Sequence, residues 1–166
     1  MMAAALVTVT TARPWPAANR WLLMVERGDG YGWAVPGGHV DPVDRGGPVE
    51  PGVHAAVREL AEETGLALFG GPVFQTLETL HVLPPRYVPD PQASGEAWAV
   101  TIPVHIGLGT RDTLPAVTGG DDARRAEWVP AHTYEGLAGF LGHCYAGKVS
   151  AAHVGMLREF LAGGAA

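Results

Sequence analysis

The chain has 166 residues, 47% of them hydrophobic, which suits one domain with a full core and excludes extensive disorder. A net charge of −6, with Lys148 as the only lysine, disfavours partners with nucleic-acid backbones and argues against a polybasic membrane patch. Cys144 has no second cysteine to pair with, so it is expected to be a small buried hydrophobe in a reducing, cytoplasmic setting. The opening MMAAALVTVTTARPW lacks the positive start of a signal peptide, no apolar run reaches membrane-spanning length, and the histidines lack zinc-site spacing.

In chain order, Leu6 to Thr11 alternates apolar residues with threonine and predicts a half-buried strand. Pro14 and Pro16 place a loop before Arg20 to Glu26, RWLLMVE, which predicts a more fully buried strand ending at a Gly28-Asp29-Gly30 turn. Trp33 to Val35 is a short strand that runs into a Gly-Gly turn at Pro36-Gly37-Gly38. Pro42 to Pro48 reads as a surface insertion ahead of a helix from Pro51 to Thr64. Further strands are predicted at Pro72 to His81, Glu96 to Ile106 and Arg124 to Val129, separated by loops over Pro84 to Gly95 and Gly107 to Asp121. Ser150 is placed to N-cap a last helix with Val154, Met156, Leu157 and Leu161 on its apolar side. Strands, a helix, more strands and a closing helix indicate α/β or α+β layering in one domain over 1–166, with 162–166 as a disordered tail.

The chemistry concentrates between Gly37 and Leu66. Val53, Ala56, Val57, Leu60 and Ala61 recur at helical spacing and predict one buried face, closed by Gly65 as the C-terminal stop. Arg58, Glu59, Glu62 and Glu63 are left for the other face. Glu59 and Glu63 are one turn apart, with Glu62 beside them. Carboxylates held that close repel one another, and a hard divalent cation with oxygen ligands relieves the repulsion. The bare backbone of the preceding Gly-Gly pair lets a carbonyl approach the same ion. An acidic face with no such partner would be only solvated surface.

Gly38, Glu50 and the run Arg58-Glu59-Leu60-Ala61-Glu62-Glu63-Thr64-Gly65-Leu66 resemble the signature of Nudix hydrolases. The second half matches at every fixed position, whereas Gly38 and Glu50 enclose eleven residues where the family pattern has five. The resemblance implies an α/β/α sandwich with a mixed sheet, and hydrolysis of a pyrophosphate bond with Mg²⁺ or Mn²⁺. By the same resemblance Glu59, Glu63 and Glu62 are metal ligands, joined by a carbonyl of Gly37 or Gly38 and by Glu50 as a supporting carboxylate. Arg58 orients, and its i, i+4 spacing allows it to brace Glu62. Members of the family draw a base from outside the signature. Asp121 and Asp122, in a glycine-rich loop before a strand, are the first candidates, swinging over the metals on a mobile loop; Glu96 and Asp90 follow.

Three stretches resemble the ADP-ribose pyrophosphatase branch, the human mitochondrial type in particular: WAVPGGHVDP, YVPDPQASGEAW and GGDDARRAEWV. They imply ADP-ribose as substrate, cleaved to AMP and ribose 5-phosphate, with Asp90 accepting from ribose hydroxyls and Trp98 as a packing wall. Arg27 and Arg86 are candidate phosphate clamps. The alternatives are NADH, dinucleoside polyphosphates or oxidised nucleoside triphosphates, and a non-catalytic ADP-ribose sensor. A homodimer is common in the wider family.

Overall fold

The structure is a computed structural model that describes residues 1–11, 20–41, 50–69, 77–89 and 98–163, Trp98 through its backbone only. The expected insertion at Pro42 to Pro48, the loop at Pro14 and Pro16, the first part of the Pro72 to His81 strand, and Asp90 and Glu96 lie outside the described residues.

A mixed sheet is built around β1 (Met2–Thr11), which pairs antiparallel with β2 (Arg20–Arg27) and parallel with β7 (Trp98–Arg111). β3 (Trp33–Ala34) pairs antiparallel with β2, and β5 (Thr79–Val82) extends the sheet beyond β7. β4 (Gly37–His39), β6 (Arg86–Pro89) and β8 (Ala123–Pro130) pair with β1, β7 and β2 respectively. The helix α1 (Gly52–Thr64) covers one face; α2 (Tyr134–Tyr145) and α3 (Ala151–Ala162) cover the other.

This layering explains why β1 is not the half-buried strand its alternation suggested. Ala3, Ala5, Val7 and Val9 face α1, while Ala4 and Leu6 face α2 and α3, so both sides are buried. The small residues at its start allow the side-chain-free Gly37 and Gly38 to pair beside them, Ala4 opposite Gly37 and Ala3 opposite Gly38. The expected Gly-Gly turn is therefore strand β4.

Other boundaries move for local reasons. β7 runs on through Gly107 to Arg111, where a loop was expected, and absorbs a register shift opposite Thr8 and Thr10 with Gly109 at φ 72°. Arg86 to Pro89 forms the edge strand β6, with its one proline, Pro89, at the end. α2 was not foreseen, because Gly136, Gly139 and Gly142 weaken its helical signal. It is anchored by Leu137 and Leu141 in the core and by the Thr133 hydroxyl, which accepts from the Gly136 N–H at 3.1 Å. Cys144 is exposed rather than buried, since Tyr145 instead takes the place over Trp33, ring centroids 4.9 Å apart. α3 continues through Ala162, past the expected start of the tail, with Leu161 in the core.

Candidate active site

α1 begins after Pro51, at φ −58°, and stops at Gly65, whose φ of 69° is left-handed as the sequence leads one to expect. Its buried face is wider than apolar periodicity indicated. Ala55, Ala56 and Leu60 face the core, and Glu59 and Glu63 are buried with them at 9% and 6% exposure. The carboxylates fit because β4 offers glycine: a Cβ on Gly38 would fall on the Glu59 carboxylate. Gly37 is constrained from the opposite side, where a Cβ would strike the backbone of Ala3 and Ala4. The Gly37 N–H donates to Glu63 Oε2 at 2.8 Å.

Arg58 binds the acidic groups together. Its Nη1 donates to Glu59 Oε1 at 2.8 Å and to Glu62 Oε2 at 3.0 Å. Its Nη2 donates to the His39 carbonyl at 2.9 Å and to Glu50 Oε2 at 3.2 Å. Glu50 also receives a weak Nε contact, and its main-chain N–H bonds to the Asp41 carbonyl at 2.9 Å. The two ends of the 42–49 segment thus meet at Asp41 and Glu50, and the Glu50 carboxylate arrives at Arg58. Hydrogen bonding to these carboxylates holds the guanidinium well above its ordinary pKa.

Asp121 and Asp122 reach the same place from β8. The segment that carries them is fastened to α1: Thr118 and Gly120 donate to its last carbonyls, at Thr64 (3.0 Å) and Glu63 (2.9 Å). The Asp122 carbonyl accepts from the Gly28 N–H at 2.7 Å, and Trp128 Nε1 holds the Pro115 carbonyl at 2.8 Å. These bonds satisfy helix carbonyls that would otherwise be orphaned. Asp121 takes the left-handed conformation, φ 51°, which an Asx residue tolerates.

The resulting electrostatics are strained. Desolvation raises the Glu63 pKa to about 8; the Gly37 N–H opposes the rise, and the hydrogen bond and charge of Asp122 add to it. Glu59 is also raised, first by burial, with Glu62 and Asp121 contributing against the stabilising Arg58. Among the described residues no three acidic, histidine or cysteine side chains stand as a ready-made cation site. Glu59 Oε1 is engaged by Arg58 and Glu63 Oε2 by the Gly37 N–H.

A cavity of about 140 Å³ opens beside Glu63 and Asp122, walled by Gly37, Gly38, Arg27, Val88 and Pro89. That is small against the roughly 300–1,000 Å³ of pockets that enclose a whole small ligand. Arg27 lines this cavity but its guanidinium is bound to Asp29, Nε to Oδ1 at 3.0 Å. Arg86 is not brought here. It pairs with Glu159 at 2.9 Å and lines a separate cleft with Arg20 and His105. Trp98 begins β7 opposite Pro89. His153 of α3, absent from the residues singled out in the sequence, lines the cavity as well. A lone histidine on an apolar helix gives no pattern signal by which to find it.

A mixed sheet between α1 and the α2–α3 pair, with a carboxylate-bearing helix packed on a glycine strand, is the architecture of a Nudix-type domain. The NUDIX domain family matches residues 3–145, and the chain belongs to that family. Among solved structures it resembles a bifunctional NMN adenylyltransferase/ADP ribose pyrophosphatase from Francisella tularensis, with TM-score 0.61 and 21% identity over 97% of this chain and 40% of that one. A C. elegans Ap4A hydrolase superposes with TM-score 0.55 and 17% identity over 98% of this chain and 99% of its own. The NUDIX domain of Shewanella oneidensis NrtR, complexed with ADP ribose, gives TM-score 0.58 and 16% identity over 95% of this chain and 84% of that one. No curated protein matches the chain in sequence. Among the described residues no helix is long and apolar enough to cross a membrane.

Proposed function

We propose that the chain is a divalent-cation-dependent Nudix hydrolase that cleaves the pyrophosphate bond of a nucleoside diphosphate derivative, with ADP-ribose, giving AMP and ribose 5-phosphate, as its substrate. The observation that carries this reading is the burial of Glu59 and Glu63 against Gly38 and Gly37, with Asp122 pressed on Glu63. Crowded, desolvated carboxylates are the donor set a hard cation favours. Glu59, Glu62 and Glu63, with a carbonyl of Gly37 or Gly38, are the residues to hold it. Mg²⁺ or Mn²⁺ bound there supplies charge neutralisation on the phosphate oxygens and a lowered pKa for a water molecule.

The remaining work falls to the protein. Arg58 fixes the Glu59 and Glu62 carboxylates by charge-assisted bonds, and Glu50 acts through Arg58 as a positioning group. Water attacks phosphorus, its proton passes to a carboxylate of the Asp121–Asp122 turn, and the bridging P–O bond breaks toward the departing phosphate ester. Asp122 is the nearer candidate, because it interacts with Glu63 and both line the cavity.

ADP-ribose is favoured by the three branch-like stretches in the sequence. The ADP ribose in the Shewanella domain complex and the AMP and Mn ion in a complex of the Francisella enzyme agree with it. A second reading, dinucleoside polyphosphate hydrolysis, is favoured by the full-length correspondence with the Ap4A hydrolase. Following nucleotide products from ADP-ribose, NADH and a dinucleoside tetraphosphate in parallel separates them. AMP formed fastest from ADP-ribose supports the first reading; faster turnover of the tetraphosphate replaces it with the second.

A further inference from the structure

His153 enters the cavity from the face opposite the carboxylate helix, and the proposed chemistry leaves it unused. It is placed by the scaffold. The N-terminus of α3 is stapled to β3, where Ser150 N–H donates to the Trp33 carbonyl at 2.7 Å and Trp33 N–H donates to that of Lys148 at 2.8 Å. This brings ring nitrogen Nδ1 against the main-chain N–H of Val35, 3.4 Å away.

That contact decides the tautomer. A backbone N–H can only donate, so Nδ1 facing it must be the bare, accepting nitrogen. A neutral imidazole carries a single N–H, which is then on Nε2 at the far side of the ring. Burial, with the nearby charge of Arg27, depresses the His153 pKa to about 4 and keeps the ring neutral. Nε2 has no partner among the described residues, and His153 lines the cavity. The cavity therefore contains a donor that adds no positive charge. A cation in that position would compete with a metal ion for the carboxylates; a neutral N–H grips an anion's oxygen without doing so.

We infer that His153 is a substrate-binding residue whose Nε2–H donates to an oxygen of the diphosphate held in the cavity, and that it is not the general base of the reaction. The inference rests on the reading of the site as one for a diphosphate ester.

The test compares H153Q, whose amide nitrogen stands near the reach of Nε2, with H153N, whose amide falls at the level of Nδ1, and with H153L. Melting temperatures are checked first, and H153N serves where H153L folds poorly. With ADP-ribose and Mg²⁺, H153N and H153L are expected to raise KM about ten- to a hundredfold and to leave kcat within severalfold, while H153Q stays near wild type. A fall of about a thousandfold in kcat in all variants would make His153 a base and overturn the inference; so would an unchanged KM in H153L. Calorimetry with α,β-methylene-ADP, a diphosphate that resists cleavage, separates this inference from the proposed reaction. If wild type binds it and H153L does so tenfold more weakly, the inference stands even where no substrate turns over. Equal binding by wild type and H153L, or no binding by wild type, overturns it. In ¹⁵N spectra of the imidazole, an Nδ1–H tautomer would contradict it directly.

Discussion

The Gly37 N–H reaches Glu63 Oε2 at 2.8 Å, tying strand β4 to the last turn of α1. One bond thus fixes a carboxylate that burial and Asp122 together make hard to ionise. The contact also shows which side chain to alter first. Gln at position 63 keeps an oxygen for the Gly37 N–H and loses only the charge. Glu63→Gln is expected to preserve the fold and α,β-methylene-ADP binding within a fewfold, and to lower kcat by at least about a hundred- to a thousandfold, the scale on which lost electrostatic stabilisation registers. Steady-state kinetics beside calorimetry measure this. A protein that only binds ADP-ribose would show no turnover in either form.

A second expectation concerns pH. The folded-state pKa of Glu63, about 8, lies above its ordinary 4.5, so ionising it opposes folding as pH rises toward 8. His153 acts in the reverse sense, depressed from 6.5 to about 4, and its contribution is complete above pH 6.5. His105 is likewise lowered to about 4 from 6.5. Between pH 6.5 and 8.5 the contributions of these two histidines are therefore nearly constant. Without divalent cation, urea titrations should show stability falling by about 2 kcal/mol across that interval. In Glu63→Gln the fall should vanish, and saturating Mg²⁺ should reduce it in wild type.

Arg58 separates function from stability. Its side chain is 30% exposed, so its ion pairs are screened and Arg58→Lys should cost no more than about 1 kcal/mol of stability. A lysine cannot hold Glu59, Glu62, Glu50 and the His39 carbonyl at once, as the guanidinium fork does. Cation affinity or kcat should drop about ten- to a hundredfold, as for outer groups that orient metal ligands. Mn²⁺ titration and kinetics check it, with thermal melts as the control.

The paired glycines predict opposite failures. Gly38→Ala puts a methyl on the Glu59 carboxylate and is expected to reduce activity more than tenfold with a small change in melting temperature. Gly37→Ala meets the backbone of Ala3 and Ala4, and should cost about 1–3 kcal/mol in stability by overpacking. Chemical denaturation and activity of the two variants distinguish them.

The signature helix was legible because charge spacing and the Gly65 stop are local, and the mixed layering followed from the order of elements. What was not legible depends on partners distant in sequence. Apolar periodicity assigned Glu59 and Glu63 to an outer face, since nothing in α1 itself reveals that β4 presents glycine to them. Glu50 reaches Arg58 because Asp41 and Glu50 meet across the 42–49 segment, a closure that spacing does not encode. Arg86 and Arg27 share the same chemistry in sequence; only the fold sends one to Glu159 and the other to the cavity. His153 acquires meaning solely through Val35, 118 residues earlier.

The central claim is a cation-assisted cleavage of a diphosphate at Glu59 and Glu63. Its most direct measurement is incubation of the purified protein with ADP-ribose and Mg²⁺ in H₂¹⁸O, with and without chelator, followed by mass analysis of the products. The account predicts AMP and ribose 5-phosphate, ¹⁸O in one of the two phosphates, and loss of both products on chelation or in Glu63→Gln. Undiminished cleavage in chelator and in Glu63→Gln, or no cleavage of ADP-ribose, NADH or a dinucleoside polyphosphate with any divalent cation, would contradict it.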